Sequence, residues 1–150
     1  MTDGVDKREL ILVRLEEIAK DIEDVEWAGR NQSLLDDSDI RRITVLEGDE
    51  LVPELSIGNR HAADKSQVMM IPEILIACAA RTREIGPDLN MIRARLIKKV
   101  LTDEALLALT VNRRSAQYGG LASDLAFAAL MQGKMSMKFR ITYMLDPKTL

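Results

Sequence analysis

The chain has 150 residues, of which 47% are hydrophobic and 30% are charged, and its net charge at pH 7 is −3. This balance predicts one folded domain over residues 1–150 and excludes a wholly disordered chain. It also excludes a broad cationic field for nucleic acid, and the single cysteine excludes an intrachain disulfide. We expect a soluble protein of a reducing compartment, because the apolar runs are short and the first residues are polar and charged.

The first predicted element is an amphipathic helix that ends near Asp21. Apolar side chains recur at positions 11, 15, 18 and 22, and an aspartate before them, Asp3 or Asp6, supplies the N-cap. Alternation over Val25–Arg30 predicts a short first strand. A polar segment over 31–39 predicts the loop that follows this strand.

The second strand is predicted over Arg41–Glu47, with Ile43 and Val45 on one face. Glu47–Glu50 contains a glycine and predicts a turn at the end of this strand. Leu51–Ser66 shows neither a helical nor a strand period. We therefore expect an exposed, mobile loop that becomes ordered only when a partner binds.

Val68–Ala80 is a nearly continuous apolar run, which predicts a strand covered on both faces. Pro72 conflicts with a regular central strand, because proline cannot donate to the ladder, so we expect a bulge or a strand start there. Gly86-Pro87 breaks the chain, and Asp88 caps a second helix over Leu89–Leu101.

The last third of the chain predicts a short helix and two strands. Thr102 caps the short helix over Glu104–Leu109. Tyr118–Met131 contains helix formers but also alternates, and we interpret it as a strand that turns at Gln132-Gly133 into the last strand. In that last strand, Met135–Leu145, every odd position is apolar. Together the elements predict an α+β fold: a mixed, largely antiparallel β-sheet flanked by two main helices, with a long C-terminal β-hairpin.

The search for chemistry in the sequence yields no arrangement that predicts catalysis. His61 and Cys78 are the only histidine and cysteine, too few for a zinc site, and the apolar neighbours of Cys78 predict a buried, unreactive thiol. The acidic clusters at 36–39 and 47–54 lack calcium-loop spacing, and Gly119-Gly120 lacks phosphate-loop spacing. We therefore expect no enzyme, no cofactor and no metal site.

Basic side chains occur in pairs, at Arg41-Arg42, Lys98-Lys99 and Arg113-Arg114. Aromatic stacking partners are few and the net charge is negative, so we interpret these pairs as solvated or protein-interface charges. Two alternatives stay open. One is a small enzyme or ligand-binding domain that uses the carboxylates and the basic pairs, and the other is a DNA-binding protein with steeply salt-dependent affinity.

Four segments of the chain together form a recognisable pattern. They are RELILVRLEEI at Arg8–Ile18, RRITVLEGDEL at Arg41–Leu51, VMMIPEILIACAA at Val68–Ala80, and YGGLASDLA…MQGKMSMKFRITYMLDPKTL at Tyr118–Leu150. In their order and spacing these segments resemble the tail terminator (tail completion) proteins of tailed bacteriophages and prophages. Two departures from the family pattern are Gln132, where an acidic residue is expected, and the length of Leu51–Ser66.

The resemblance implies a ring-forming subunit with a mixed sheet flanked by helices. Proteins of this family cap the head-proximal end of a completed tail tube as a ring, usually a hexamer. They stop tube polymerisation and provide the docking surface for the head connector. The implied location is the head-proximal end of the tail in the virion, and the host cytoplasm during assembly. Another head–tail joining protein, such as a neck or connector adaptor, is the nearest alternative.

The implied partners are other copies of the chain, the major tail tube protein and the head–tail connector or stopper protein. DNA meets the protein only non-specifically, in transit through the lumen, and no membrane is involved. A ring buries strand edges and exposed loops of each subunit against its neighbours, so charged and polar residues of such regions are our candidates for partner or subunit contacts. The candidates are Arg41, Arg42, Glu47, Asp49, Glu50, Glu54, Asn59, Arg60, His61, Lys65, Lys138 and Arg140.

Overall fold

The computed structural model describes residues 4–31, 41–53, 61–78, 85–125 and 133–150, and within them five strands form one sheet. The elements are α1 Lys7–Lys20, β1 Trp27–Arg30, β2 Arg41–Leu51, β3 Ser66–Cys78, α2 Ile85–Thr102, α3 Glu104–Leu107, β4 Ala116–Leu125 and β5 Gly133–Leu145. A short 3₁₀ turn at Val111–Arg113 precedes β4. This arrangement confirms the predicted α+β class and the two main helices.

The strand order across the sheet is β1-β2-β3-β5-β4. β1 runs parallel to β2, whereas the pairs β2–β3, β3–β5 and β4–β5 are antiparallel. The predicted mixed, largely antiparallel sheet is therefore confirmed. β4 and β5 lie side by side, but the segment that joins them, 126–132, lies outside the described residues, as does the end of the strand predicted to reach Met131.

The hydrophobic core lies between α1, α2 and one face of the sheet. The stripes predicted from helical spacing are buried in both helices: Ile11, Leu12, Leu15, Ile18, Ala19, Leu89, Ile92, Leu96 and Val100. β5 adds every second side chain from Met135 to Tyr143, each at most 7% exposed. Its alternation is confirmed, except that Leu145 at the end of the strand is only partly buried.

The start of α2 corrects one helix prediction. The helix begins at Ile85 and not at Leu89, so Gly86-Pro87 lies inside its first turn. Proline is tolerated there because the first amides of a helix have no intrahelical acceptor. Asp88 is consequently a first-turn residue and not the cap.

The predicted N-cap of α1 is confirmed, and the predicted N-cap of α3 is wrong. Asp6 caps α1, as predicted, by accepting a hydrogen bond from the Arg8 amide at 3.0 Å. α3 is capped by Asp103, whose carboxylate accepts from the Leu106 amide at 2.8 Å. The predicted cap, Thr102, is instead the last residue of α2. Two adjacent residues with capping side chains could not be ranked from sequence spacing alone.

The predicted turn at Glu47–Glu50 is wrong, because β2 continues through it to Leu51. The ladder to β3 skips from the Leu46–Glu73 pair to the Asp49–Ile71 pair, which makes Glu47-Gly48 a β-bulge. Gly48 has a φ of 68°, and a Cβ at this position would lie 1.9 Å from the Ile71 carbonyl oxygen. A glycine that resembles a turn signal therefore allows the strand to bulge and resume.

β3 also differs from its prediction. Its side chains alternate between buried and half-buried, so the apolar run is not covered equally on both faces. The helices pack on the face of Val68, Met70 and Ile74, and the opposite face includes Met69 and Leu75. On the opposite face, the side chains of β3 are only half-buried, although β2 and β5 flank the strand on both sides. Among the described residues, no helix packs on this face.

Pro72 lies within β3 where two ladders are interrupted, as the expectation of a bulge requires. It faces the Glu47-Gly48 bulge of β2, and Ile71 and Pro72 have no paired residues in β5. The missing proline N–H therefore falls where neither neighbouring strand depends on it.

The segment predicted to be irregular, Leu51–Ser66, is shorter than expected. Leu51 ends β2 and Ser66 begins β3. Residues 52, 53 and 61–65 are exposed, and residues 54–60 lie outside the described residues. The strands extend into the segment because the bulge restores the ladder beyond Gly48.

Candidate functional site

The sheet face opposite the helices, which we call the outer face, presents charged and polar side chains from β2, β3, β4 and β5. Its members follow from strand alternation and register. They include Arg42, Thr44, Leu46 and Asp49 of β2; Met69, Ile71, Glu73, Leu75 and Ala77 of β3; Lys134, Ser136, Lys138, Arg140 and Thr142 of β5; and Gln117 of β4.

Four strands interrupt their ladders along one line that crosses this face. The interruptions are the Gly48 bulge in β2, Pro72 in β3, the adjacent stretch of β5, and a register shift at Gly119 in β4. An added Cβ at Gly119 would lie 3.0 Å from the Lys138 carbonyl oxygen and 3.5 Å from the Arg140 side chain. The two glycines therefore allow neighbouring strands to approach closely at this line.

A depression of about 370 Å³, the bulge depression, lies on this line. It is lined by Gly48, Asp49, Ile71, Glu73, Gly119, Lys138 and Arg140. Ser136 donates a hydrogen bond to Glu73, whereas Asp49, Lys138 and Arg140 are exposed. Three predicted contact residues, Asp49, Lys138 and Arg140, are thus brought together from β2 and β5.

A second depression of about 300 Å³, the arginine depression, adjoins the first because both include Arg140. Its lining residues are Met69, Arg114, Ser115, Gln117, Arg140 and Thr142. Neighbouring strands place these residues together: Met69 pairs with Thr142, and the Thr142 amide donates to the Ser115 carbonyl at 2.9 Å. Gln117 pairs with Arg140 across β4 and β5.

Glu47 is the centre of an ion-pair network on the helix side of the sheet. Its carboxylate accepts hydrogen bonds from Asn31 at 3.0 Å and from Arg30 at 2.7 and 3.0 Å. These bonds hold the pKa of Glu47 below its ordinary value. Arg30 also donates to Glu9 of α1 at 2.7 and 2.9 Å, which lowers the pKa of Glu9. Arg30 thereby connects α1 to β2.

Glu50 follows Asp49 in β2 and therefore lies on the opposite face, and the bulge, which shifts the alternation by one residue, assigns Glu50 to the helix side. Its carboxylate accepts a hydrogen bond from the buried Tyr143 hydroxyl at 2.5 Å and lies 3.4 Å from the Arg8 guanidinium. Burial, and secondarily the hydrogen bond to Glu50, raise the pKa of Tyr143. Glu50 is therefore engaged with α1 and β5 of its own chain.

The arginine pair at the start of β2 also makes contacts within the chain. Arg41 lies 3.0 Å from the Asp88 carboxylate and 3.5 Å from that of Glu26. Arg42 is 7% exposed, and its guanidinium carbon lies 4.5 Å from the centre of the Trp27 ring. This geometry is a cation–π contact. Arg42 consequently presents little surface to a partner.

The remaining candidate residues lie near the exposed segment between β2 and β3. His61 is exposed, and its backbone amide donates to the Asp64 carboxylate at 2.9 Å. Lys65 is 67% exposed and lies 4.0 Å from Asp146. Glu54, Asn59 and Arg60 fall outside the described residues.

Cys78 is buried, as predicted, with 1% of its surface exposed. Burial, and next the nearby Asp88 carboxylate, raise the pKa of the Cys78 thiol to about 11. A thiol with this pKa is almost wholly protonated near neutral pH, which makes it a poor nucleophile. Across the described ranges, the histidine, cysteine and acidic side chains form no group of three or more suited to hold a metal ion.

Sequence reasoning missed three residues that line the two depressions: Glu73, Arg114 and Gln117. In the sequence, Arg114 stands out only as the second residue of the basic pair Arg113-Arg114. The signal that could have identified it is its position directly before the alternation of β4, which starts at Ala116. The pairing of β4 with β5 then places Arg114 beside Arg140, and this pairing is a tertiary property.

A comparison with models of known protein families finds no match for this chain, and a comparison with curated proteins also finds none. Within the part of the chain that the structure describes, no helix is long and apolar enough to cross a membrane.

Proposed function

We propose that the protein is a structural subunit that caps the head-proximal end of a bacteriophage tail tube. In this proposal six copies form a ring, stop polymerisation of the tube protein and provide the docking surface for the head connector. DNA passes through the lumen without specific contacts, and the protein has no catalytic role. It resides at the head-proximal end of the tail in the virion, and in the host cytoplasm during assembly.

The observation that carries the proposal is where the four family-like segments lie in the fold. RELILVRLEEI lies within α1, and RRITVLEGDEL coincides with β2. VMMIPEILIACAA contains most of β3, and the closing segment contains most of β4 and all of β5. The family-like residues thus form most of four of the five described strands and one of the two main helices. This placement supports the resemblance, because matching segments that build one continuous unit agree with a shared fold.

The sheet edges support an assembly role. β4 is the terminal strand on one side of the described sheet and runs over Ala116–Leu125. β1, at the other edge, has only 4 residues. A long strand edge offers N–H and C=O groups to a second chain. In a ring, where two different surfaces of each subunit meet, we propose that β4, together with β5 as the two arms of a hairpin, forms one of these surfaces.

Six of the charged residues predicted to contact partners, all in β2 or β5, form two groups that differ in their contacts within the chain. Arg41, Glu47 and Glu50 are bound to other residues of the same chain. In the proposal they keep the subunit rigid. Asp49, Lys138 and Arg140 are exposed on the outer face and are available to neighbouring subunits or tail proteins.

The direct test of the proposal is removal of the gene from the phage or prophage that encodes it. Because an uncapped tube continues to polymerise, we expect tails of uncontrolled length that do not join heads, and infectivity restored by expression of the protein from a plasmid. Electron micrographs of lysates measure both tail length and head joining. Tails of normal length joined to heads in the absence of the protein would refute the proposal.

A deletion of residues 59–65 tests separately whether this segment, which contains the predicted contact residues Asn59, Arg60, His61 and Lys65, binds a partner. The described part of this segment is exposed, so we expect the shortened protein to keep its circular dichroism spectrum and its unfolding transition. We also expect it to fail in tail capping or head joining. The single substitution Lys65→Ala checks separately that loss of the 4.0 Å contact between Lys65 and Asp146 does not destabilise the fold, because an ion pair of a lysine that is 67% exposed contributes little to stability. Infectious particles at normal yield from the deletion would exclude a docking role for this segment.

A further inference from the structure

The arginines of the described residues divide by what their side chains contact. Most are bound within the chain: Arg8, Arg14, Arg30, Arg41 and Arg95 to carboxylates, and Arg42 and Arg93 over aromatic rings. The side chains of Arg113, Arg114 and Arg140 have no ion pair or hydrogen bond with other described residues, and all three are exposed; of these, Arg114 and Arg140 line the arginine depression. Two unpaired guanidinium groups in one depression are therefore unusual for this chain.

The arginine depression combines these two cations with neutral polar groups. Its described lining contains Met69, Ser115, Gln117 and Thr142 beside the arginines, and no carboxylate. The Ser115 hydroxyl donates to the Val111 carbonyl, so it is oriented by its own chain. Gln117 and Thr142 keep donors for a ligand. Guanidinium, amide and hydroxyl donors, here beside one apolar side chain, Met69, are the groups that bind an oxyanion.

We propose that the arginine depression is a carboxylate-binding site for an acidic segment of a partner protein. The guanidinium groups of Arg114 and Arg140 together bind one or two side-chain carboxylates, and Met69 contacts the aliphatic part of the same segment. Arginine is suited to this role because its planar fork donates two parallel hydrogen bonds to a carboxylate. The site does not depend on ring formation and can exist in an isolated subunit.

The surroundings of the depression favour an acidic peptide over a nucleic acid. The adjoining bulge depression contains the carboxylates of Asp49 and Glu73 next to Arg140 and Lys138. A phosphate backbone that followed the cations across the face would meet these two carboxylates. A peptide can place a neutral or basic residue there, or end before it, whereas the phosphates of duplex DNA continue past the depression over a protein whose overall charge is −3.

The test is a titration of the isotope-labelled full chain, followed by amide NMR, with an acetylated hexaglutamate peptide at pH 7 and low salt. Hexaglutamine of the same length is the uncharged control probe, and a short duplex DNA is the third probe. We expect saturable shift changes at Ser115, Gln117 and Arg140 with hexaglutamate only. The double substitution Arg114→Gln with Arg140→Gln should weaken this binding by at least about tenfold, because both charged forks are lost.

Arg113→Gln is the matched control variant, since it removes an exposed cation next to Arg114 that does not line the depression. It should retain hexaglutamate affinity within about twofold, because a screened surface charge contributes little. Three results would overturn the proposal: no saturable shifts, equal weakening by Arg113→Gln and the double variant, or tighter binding of duplex DNA than of hexaglutamate. Urea unfolding of each variant checks that the exposed substitutions leave the fold intact.

Discussion

Gly48 decides which side of the sheet two acidic residues occupy. Its bulge inserts one extra residue into β2, so Asp49 faces the outer depression and Glu50 faces α1 and Tyr143. Without the bulge the two carboxylates would exchange faces. A single residue therefore separates a surface charge from a structural contact.

Substitution of Gly48 by alanine should be strongly destabilising. Alanine is strained at the φ of 68°, and its Cβ would lie 1.9 Å from a backbone oxygen of β3. We expect a loss of more than about 2 kcal/mol in the free energy of unfolding, measured by urea denaturation.

Gly86→Ala is the control for this substitution. A Cβ at Gly86 meets no described atom within 4 Å, and the residue lies in the first turn of α2. Alanine there should be neutral or stabilise the protein by up to about 1 kcal/mol. Equal effects of the two substitutions would show that the bulge does not require glycine.

At the scale of elements, α1 is attached to the rest of the molecule by arginines as well as by its apolar stripe. Arg14 donates to both oxygens of Asp103, at 2.8 and 2.6 Å, and Asp103 also caps α3. The hydrogen bond from Arg14 lowers the pKa of Asp103. One carboxylate thus connects α1 to α3 and satisfies a helix terminus.

Asp103→Ala should lower the free energy of unfolding by about 1–2 kcal/mol, because it removes the cap together with the two-pronged contact to Arg14. Urea denaturation of the purified variant measures this loss. Glu17→Ala is the matched control: Glu17 pairs with the same arginine at 2.9 Å but its side chain is 57% exposed. Its loss should be below about 0.5 kcal/mol. A larger effect for Glu17 than for Asp103 would contradict this account of α1 docking.

At the scale of the whole molecule, ion pairs distributed over the helix side should make stability depend on pH. The pKa values of Glu9, Glu47 and Asp103 are lowered in the folded protein from ordinary values of 4.5, 4.5 and 3.8. Their stabilising contribution is therefore fully present above these ordinary values. It is lost as the pH falls through the lowered values, because the unfolded state then binds more protons.

We expect the free energy of unfolding to be constant between about pH 6 and 7 and to decrease below about pH 4.5. Urea denaturation at a series of pH values measures the slope. Arg30→Gln should flatten this dependence, because Arg30 contacts two of the three carboxylates. An unchanged slope in this variant would show that the network does not set the acid sensitivity.

The local pattern of the sequence is sufficient to place the main helices and strands and to identify the buried faces of α1, α2 and β5. The spacing of Ile11, Leu15 and Ile18 in α1, and the alternation of β5, identify core residues because each period is a local geometric property of the chain. The residues at which helices and strands begin and end were harder to predict. The first turn of α2 accepts Pro87, and Gly48 suits a bulge as well as a turn, so the local signal fits two structures.

Which charged residues form ion pairs within the chain depends on the tertiary structure and could not be predicted from the sequence. In the sequence, Arg41, Glu47 and Arg140 are all strand charges without an evident partner. In the structure the first two form ion pairs with other elements, whereas Arg140 has no ion pair with the residues that the structure describes. Arg114 and Arg140 share a depression because β4 pairs with β5 in one particular register. Register depends on contacts between segments far apart in the chain, and no local period specifies it.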